Sequence, residues 1–305
     1  DPGDRPGMNT TIEAVPVPAA VPSRSRIADY WTLTKPGITV MVAVTAAVGY
    51  YLGAGDAFNA SVLLRLTIGT LLSAAGACAL NQVLERRADG LMNRTKNRPL
   101  PAGRLSVTSA AIFGIVLSAA GVSALARAVN LPTAAISLAT IVSYLAIYTP
   151  LKSRSSICTL VGAVPGALPP VMGWAAATGT VGLEAGVLFL ILFFWQLPHF
   201  LALAWMYRED YARAGFPMLS VEEPTGASCG RQAVLQTLAL IVSSLFPVGL
   251  GMAGAGYMAT ALVLGTGFLG FAVAFAAVRT RERAARLFFA SITYLPLLLG
   301  ALALL

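Results

Sequence analysis

The stretch LTIGTLLSAAGACALNQVL, residues 66–84, is followed at once by ERRAD, residues 85–89. The first part holds no Asp, Glu, Lys or Arg over a length that suits a membrane crossing, which takes about 20 apolar residues in a helix. The second part carries four charges in five residues. The junction therefore predicts a spanning helix that ends in a charged segment at the water boundary.

The composition of the whole chain is that of a membrane protein. Of its 305 residues, 57% are hydrophobic and only 11% are charged, whereas a soluble domain carries about 25% charged residues. The net charge of +8 comes from short basic segments between apolar runs, and this distribution argues against a nucleic-acid partner. The three cysteines and the single histidine lack zinc-ligand spacing, so we interpret the cysteines as small buried hydrophobic residues.

Charge-free runs of spanning length predict nine helices. The longest run, residues 232–278, is long enough for two crossings with a glycine-rich turn between them. Because backbone groups in lipid must be bonded within their own segment, we expect an all-α bundle around a central cavity open to the cytoplasmic side. The predicted spans are residues 36–55, 66–84, 105–126, 130–150, 157–178, 186–207, 232–251, 257–278 and 287–305.

Basic residues set the predicted orientation. Nineteen of the 21 Lys and Arg residues fall on the side of the amino-terminal segment, and only Arg65 and Arg127 fall on the other. The positive-inside rule then makes the amino terminus cytoplasmic and places the carboxyl terminus across the membrane. We interpret residues 1–28 as a disordered cytoplasmic arm before a membrane domain at 29–305. The long polar loops at 85–104 and 208–231 are both cytoplasmic, and we expect the functional site there.

Polar side chains end the second predicted span at positions four residues apart. Asn81, Glu85 and Asp89 point within roughly 80° of one helix face. Such oxygen ligands suit Mg²⁺, which typically binds one or two carboxylates together with substrate phosphates. The alternative is that the carboxylates pair with nearby arginines, but Asn81 lies deeper, where an unexplained polar group is costly.

Cations lie next to this motif. Lys and Arg beside a carboxylate-bound magnesium are what a diphosphate leaving group requires. Lys152, four residues after Tyr148 at the end of the fourth span, is placed to reach the same diphosphate, unless it only extends its ammonium group to the membrane surface. The loop cations are Arg94, Lys96 and Arg98.

A second polar motif ends the sixth span. Glu209 and Asp210, with Arg208 beside them, place two more carboxylates at the cytoplasmic rim, and we expect a cavity and metal shared with the first motif. His199 lies about two and a half turns inside Arg208 and hence within the membrane. A lone histidine is usually a packing residue, but an intramembrane ionisable group is a functional candidate, and histidine is a common axial ligand of haem iron.

Together these motifs resemble the UbiA-type membrane prenyltransferases, and among them the branch that acts on haem. The resemblance covers nearly the whole chain from about Tyr30. Ala214 stands where the wider superfamily has a second aspartate, a loss that the haem branch shares, whereas Cys158, Ala163 and Ser220 depart from the branch. The resemblance rests on N-x-x-x-E-x-x-x-D at 81–89, R-T-x-x-R-P-L at 94–100, Y-x-x-x-K at 148–152, W-Q-x-P-H-F at 195–200 and Y-R-E-D-Y-A-R-A-G-x-P-M-L at 207–219.

The resemblance implies that residues 29–305 are a prenyltransferase domain that transfers a farnesyl group from farnesyl diphosphate to a vinyl group of haem b. It implies Mg²⁺ as cofactor, and a downstream haem-modifying enzyme is kept as a further candidate partner. The Ala-, Gly- and Arg-rich composition, without an Arg/Ser-rich amphipathic presequence, favours a bacterial inner membrane over a mitochondrial one. The implied catalytic residues are Asn81, Tyr148, Glu85, Asp89, Lys152 and Asp210. Arg94, Lys96, Arg98, Lys152 and Arg208 are implied to bind diphosphate, Trp195 and His199 haem, and Asn81, Glu85, Asp89, Glu209 and Asp210 magnesium.

Two alternatives stay open. A related prenyltransferase acting on an aromatic quinone precursor or chlorophyllide is disfavoured by His199 and by the central Glu85. A secondary transporter would place its polar groups near mid-membrane in duplicated halves. Here the polar residues crowd one rim, and the sequence shows no repeat.

Overall fold

The computed structural model describes residues 25–305, which form helices and turns without strands. Nine of the helices in this part of the chain are long and apolar enough to cross a membrane, so the prediction of nine spans in an all-α protein is confirmed. The elements are α1 (Arg26–Leu33), α2 (Pro36–Ala54), α3 (Ala60–Leu91), α4 (Val107–Ala128), α5 (Leu131–Val142), α6 (Thr149–Leu151), α7 (Cys158–Thr178), α8 (Leu183–Met206), α9 (Arg208–Arg213), α10 (Leu219–Glu222), α11 (Ala227–Gly249), α12 (Ala255–Ala277) and α13 (Arg281–Leu304).

Helix α1 begins inside the segment expected to be disordered, residues 1–28. Ser25 caps it by accepting a hydrogen bond from the Ala28 N–H. The buried Asp29 forms an ion pair with Arg104, with Oδ1 and Nε 3.0 Å apart. The cap and the long-range ion pair stabilise this first turn. The prediction of disorder rested on the lack of apolar periodicity, which does not reveal either interaction. Residues 1–24 of the predicted arm lie outside the described residues.

Helix α3 extends beyond its predicted span. It continues to Leu91, so Glu85 and Asp89 lie on a helix and not in a loop that starts at residue 85. A run without charged residues marks only the part of a helix that lies in hydrocarbon. It misses the last turns of α3, where the charged side chains form ion pairs. The connection to α4 is correspondingly short, and the Thr95 hydroxyl donates to the Asp89 carbonyl at 2.8 Å within it.

The fourth span contains a π-helical segment, Ser143–Tyr148, between α5 and α6. Its wide turn ends with the Thr149 N–H bonded to the Tyr144 carbonyl, one residue further back than in an α-helix. Pro150 follows directly and has no N–H with which to continue an α-helical ladder. The segment stacks the rings of Tyr144 and Tyr148 with centroids 5.6 Å apart, and both line a cavity described below.

The spanning helices pack in two groups. The first five spans, α2 to α7, contact one another in a ring, and α8, α11, α12 and α13 form a second bundle joined to it by α7–α8 and α13–α2 contacts. Helices α2 and α7 approach so closely that a Cβ on Gly49 would lie 2.0 Å from the Pro170 carbonyl oxygen. Large exposed side chains on the outer faces are apolar, Ile115 and Val116 of α4 among them, as suits a surface covered by lipid.

Candidate active site

A polar cavity of about 150 Å³ lies at the end of the bundle where α3 leaves the apolar region. Helix α3 contributes an amide and two carboxylates, and the fourth span contributes two tyrosines. Four cationic side chains face the two carboxylates, which gives the cavity a net charge of +2 and suits an anionic ligand. The lining residues with polar or charged side chains are Lys35, Asn81, Glu85, Asp89, Arg94, Thr95, Arg98, Tyr144, Tyr148 and Lys152.

Each acidic group in this cavity is paired with a cation. Lys152 Nζ donates to the two carboxylate oxygens of Glu85 at 3.1 and 3.3 Å. Arg98 donates to the two oxygens of Asp89 at 2.9 and 2.8 Å. Because Glu85 and Asp89 are buried, each carboxylate needs a partner of opposite charge inside the protein, and these two cations supply it. The sequence predicted these residues for the site, and the structure brings them together.

Lys35 completes the cavity and was missed by the sequence reasoning. Its Nζ donates to the Asn81 side-chain oxygen at 2.7 Å, and burial lowers the pKa of Lys35 below its ordinary value. The residue adopts a left-handed backbone conformation, with φ of 47°, which costs a residue other than glycine about 1–2 kcal/mol. A lysine directly before Pro36, at the start of the first apolar run, was the available signal.

Arg208, Glu209 and Asp210 line a second cavity, of about 370 Å³, and not the first. The Asn93 N–H donates to Asp210 Oδ1 at 2.9 Å, and Arg213 pairs with the same oxygen. Although its burial acts in the opposite direction, these donors lower the pKa of Asp210 below the ordinary value. Asp210 therefore attaches α9 to the segment that follows α3.

Arg94 separates the two cavities. It lines the first, and its guanidinium carbon lies 4.9 Å from the ring centroid of Tyr207, which lines the second, and 4.7 Å from that of Tyr211. Lys96, predicted to bind diphosphate, is exposed, donates to the Asn93 side chain at 3.2 Å and lines neither cavity. The two acidic motifs are thus neighbours, with a cation and two aromatic rings between them.

His199 and Trp195 lie between α8 and α13, outside both cavities. The Trp195 indole N–H donates to the Ser291 carbonyl at 2.7 Å, and His199 stacks on Phe288 with ring centroids 4.5 Å apart. The Ser291 hydroxyl lies 2.7 Å from His199 Nδ1 and 2.6 Å from the Phe288 carbonyl oxygen, to which it can donate. In the tautomer in which Nδ1–H donates to this hydroxyl, Nε2 carries the lone pair and is the atom that can ligate a metal.

The first cavity fits a magnesium ion that is held together with a phosphate. Within residues 25–305 no group of three or more His, Cys, Asp or Glu side chains is arranged to hold a metal alone. Two carboxylates and one amide supply only part of a coordination shell. Mg²⁺ usually completes such a shell with substrate phosphate oxygens and water.

Comparison with known proteins assigns the family. The model of the family described as UbiA prenyltransferase family matches residues 42–293. The chain belongs to the UbiA prenyltransferase family. It is therefore a multi-pass membrane prenyltransferase, as the resemblance of its motifs indicated.

The curated relatives are similar over nearly their whole length. Protoheme IX farnesyltransferase of Solibacter usitatus is 48% identical, over 90% of this chain and 98% of the relative. The protein of the same name from Opitutus terrae is 44% identical, over 92% of this chain and 95% of the relative. The match thus includes both polar motifs and His199.

Solved structures share the fold at low identity. A digeranylgeranylglyceryl phosphate synthase superposes with a TM-score of 0.76 at 15% identity, over 91% of this chain and 97% of that one. A UbiA homologue from Archaeoglobus fulgidus bound to GPP and Mg²⁺ superposes with a TM-score of 0.62 at 14% identity, over 90% and 100%. A divalent metal with a prenyl diphosphate therefore occurs in this family.

Proposed function

We propose that the protein transfers the farnesyl group of farnesyl diphosphate to a vinyl group of haem b and adds water, giving haem O and diphosphate. The observation that carries the proposal is a cavity of net charge +2 at one end of a prenyltransferase bundle. The choice of substrates is supported by relatives named protoheme IX farnesyltransferase, which are 44–48% identical over at least 90% of this chain.

The cations of the first cavity bind the diphosphate in this proposal. Lys35, Arg98 and Lys152 each contact an oxygen of α3 in the free protein, and diphosphate oxygens are stronger acceptors that draw these donors away. Arg94 adds a fourth positive charge at the wall of the cavity. As the bond from farnesyl C1 to oxygen breaks, these charges stabilise the negative charge that grows on the leaving group.

The proposed magnesium site consists of Asn81, Glu85 and Asp89. When these carboxylates lose their cations to the diphosphate, they become available to a metal that neutralises further charge on the phosphate oxygens. The sequence also predicts Arg208, Glu209 and Asp210 as diphosphate and metal ligands. That remains a prediction, because these residues line the adjoining cavity beyond Arg94.

The remaining steps need no protein nucleophile. The bond electrons leave with the diphosphate, and the rings of Tyr144 and Tyr148, which line the cavity, are the aromatic groups placed to stabilise the allylic cation. The vinyl π electrons attack C1 of this cation, and the positive charge moves to the vinyl carbon next to the porphyrin. Water adds there and loses a proton. The apolar helices around the farnesyl chain keep other water away until this step.

Trp195 and His199 form the proposed haem site. His199 Nε2 has no hydrogen-bond partner within residues 25–305, and Nδ1 is hydrogen-bonded to the Ser291 hydroxyl. This arrangement suits a ligand of haem iron, in which one ring nitrogen binds the metal and a hydrogen bond orients the other. The proposed location is a bacterial inner membrane, as in the bacteria that carry the relatives. The proposed orientation has the amino terminus and both cavities on the cytoplasmic side, because the basic residues crowd that rim.

A product assay with several acceptors tests the proposal. Membranes containing the protein receive farnesyl diphosphate, Mg²⁺ and either haem b, an aromatic acid or chlorophyllide, and products are analysed by mass spectrometry. The proposal requires farnesyl plus hydroxyl on haem. Prenylation of only the aromatic acid or chlorophyllide would assign the chain to another branch, and substrate accumulation in sealed vesicles without chemical change would indicate transport.

A further inference from the structure

Thr149 lies behind Asn81, at the end of the π-helical segment. The Asn81 side-chain nitrogen donates to the Thr149 hydroxyl oxygen at 3.1 Å, across 68 positions of the sequence. Asn81 is 2% exposed and Thr149 is 8% exposed, and Thr149 does not line the first cavity. A buried hydroxyl outside the cavity thus contacts one of the proposed magnesium ligands, and the proposed transfer step gives this hydroxyl no role.

The hydrogen bonds around Asn81 run in one direction. A lysine ammonium group only donates, so its 2.7 Å contact with Lys35 Nζ assigns the amide oxygen of Asn81 to the lysine side. The amide NH2 group then donates to Thr149, whose hydroxyl donates in turn to the Tyr144 carbonyl oxygen at 2.9 Å. A carbonyl oxygen only accepts, and its two lone pairs allow two donors. The chain of bonds therefore fixes which way the Asn81 amide faces.

The π turn places the Thr149 hydroxyl in this chain. A π turn holds one residue more than an α turn, so it rotates the side chains that follow by about 100° around the helix axis. The Tyr144 carbonyl, five residues before Thr149, accepts both the N–H and the hydroxyl of Thr149. Thr140 in the same span has the ordinary arrangement, in which the hydroxyl donates to the carbonyl four residues earlier, that of Ile136. The irregular turn thus anchors the Thr149 hydroxyl where Asn81 meets it.

We infer that Thr149 is a positioning residue that keeps the amide oxygen of Asn81 directed into the first cavity, as a ligand for magnesium held together with diphosphate. This inference rests on the proposed function. When the diphosphate draws Lys35 away, the Thr149 hydroxyl still holds the amide and keeps it from turning over by 180°. A turned amide would present its NH2 group, which only donates and cannot bind a metal ion. Hydrogen bonds from outer partners orient metal ligands in this way.

Thr149→Val tests the inference, with Thr149→Ser and Thr140→Val as controls. Valine keeps the shape of threonine without the hydroxyl, serine keeps the hydroxyl, and Thr140→Val removes a hydroxyl that bonds within its own helix. The full chain in neutral detergent is titrated by calorimetry with inorganic diphosphate, once with Mg²⁺ and once with EDTA. Thr149→Val weakens binding about 10- to 100-fold with Mg²⁺, as for other outer partners of metal ligands, and leaves binding in EDTA unchanged. Both controls bind as wild type does in either condition.

Two further variants keep the test decisive if Thr149→Val does not fold. Thr149→Ala removes the same hydroxyl with a smaller side chain and gives the same Mg²⁺-dependent loss. Asn81→Asp replaces the amide by a carboxylate, whose two oxygens both accept, so that turning it over changes nothing. In the Asn81→Asp background, removal of the Thr149 hydroxyl therefore causes no further Mg²⁺-dependent loss.

Other outcomes overturn the inference. Equal weakening with Mg²⁺ and with EDTA would make Thr149 a structural residue of the cavity wall. A loss in Thr149→Ser as large as in Thr149→Val would exclude the hydroxyl as the cause, and a wild-type affinity that is the same with Mg²⁺ and with EDTA would exclude the metal. If Thr149→Val shows the expected loss but wild-type protein forms no haem O, the proposed function fails and the positioning role stands. If haem O forms and Thr149→Val binds as wild type does, only this inference fails.

Discussion

Lys152 Nζ lies 3.1 Å from Glu85 Oε1 and joins the end of the fourth span to α3 across 67 positions of the sequence. Both side chains are buried, 8% exposed in each residue. Removing one partner of a buried ion pair leaves an unpaired charge, which typically costs about 3–5 kcal/mol. Neither partner can therefore be removed alone without a loss of stability, and in the proposed function the diphosphate takes over the lysine.

The double variant Glu85→Gln with Lys152→Gln separates these two roles. Each single variant lowers the thermal unfolding midpoint because one charge stays buried alone. The double variant regains most of the midpoint, but its kcat stays about 10²–10³ below wild type, as expected when a group that stabilises transition-state charge is lost. Unfolding is followed in detergent and activity by product formation. A double variant with wild-type kcat would show that the pair is only structural.

Lys35→Gly tests the cation that the sequence reasoning missed. Glycine adopts the left-handed backbone of this position without steric cost. The variant therefore removes the ammonium group without adding strain, and the unfolding midpoint stays near that of wild type. The KM for farnesyl diphosphate rises about tenfold through loss of one charge-assisted bond, while the KM for haem b stays the same. An unchanged KM for the diphosphate would exclude Lys35 from the binding site.

Gly49→Ala tests the close approach of α2 and α7. The added methyl group would lie 2.0 Å from the backbone oxygen of Pro170, so the two helices must separate. We expect a loss of about 1–3 kcal/mol in unfolding free energy. Gly186→Ala on α8 is the control, since a Cβ there meets nothing within 4 Å, and alanine favours the helix by up to about 1 kcal/mol. Equal midpoints for the two variants would contradict the packing.

His199→Ala and Ser291→Ala test the haem site. If His199 Nε2 ligates the iron, His199→Ala removes the absorption band shift that axial imidazole ligation gives to bound haem. Ser291→Ala keeps the ligand but frees its Nδ1, so haem affinity falls about 10- to 100-fold, as for other outer-shell partners of metal ligands, and the band shift remains. A wild-type spectrum in His199→Ala would make the histidine a packing residue.

Much of the fold was predictable because span length and charge placement are local properties. The nine spans follow from apolar runs. The spacing of Asn81, Glu85 and Asp89 predicts one helix face, although the charge pattern predicted a loop over residues 85–104. Local patterns do not predict the left-handed conformation of Lys35. They also do not predict the π-helical segment, which depends on how Pro150 is accommodated.

The assignment of side chains to cavities was not predictable from the sequence. Asp210 and Asp89 both end acidic motifs at one rim, and the sequence suggested one shared metal site. Their separation depends on tertiary contacts of Arg94 with two tyrosine rings and of Asp210 with a backbone N–H. Such contacts join segments more than a hundred residues apart, and no periodicity within one segment encodes them.

In the proposed reaction, a farnesyl group is transferred to haem and water is added. Its most direct test is mass spectrometry of the product formed by the purified protein from haem b, farnesyl diphosphate and Mg²⁺ in water enriched in ¹⁸O. We expect haem carrying one farnesyl group and one hydroxyl group that contains ¹⁸O, and no such product from the Glu85→Gln variant. A farnesylated haem without the label, or unmodified haem with full recovery of farnesyl diphosphate, would contradict it.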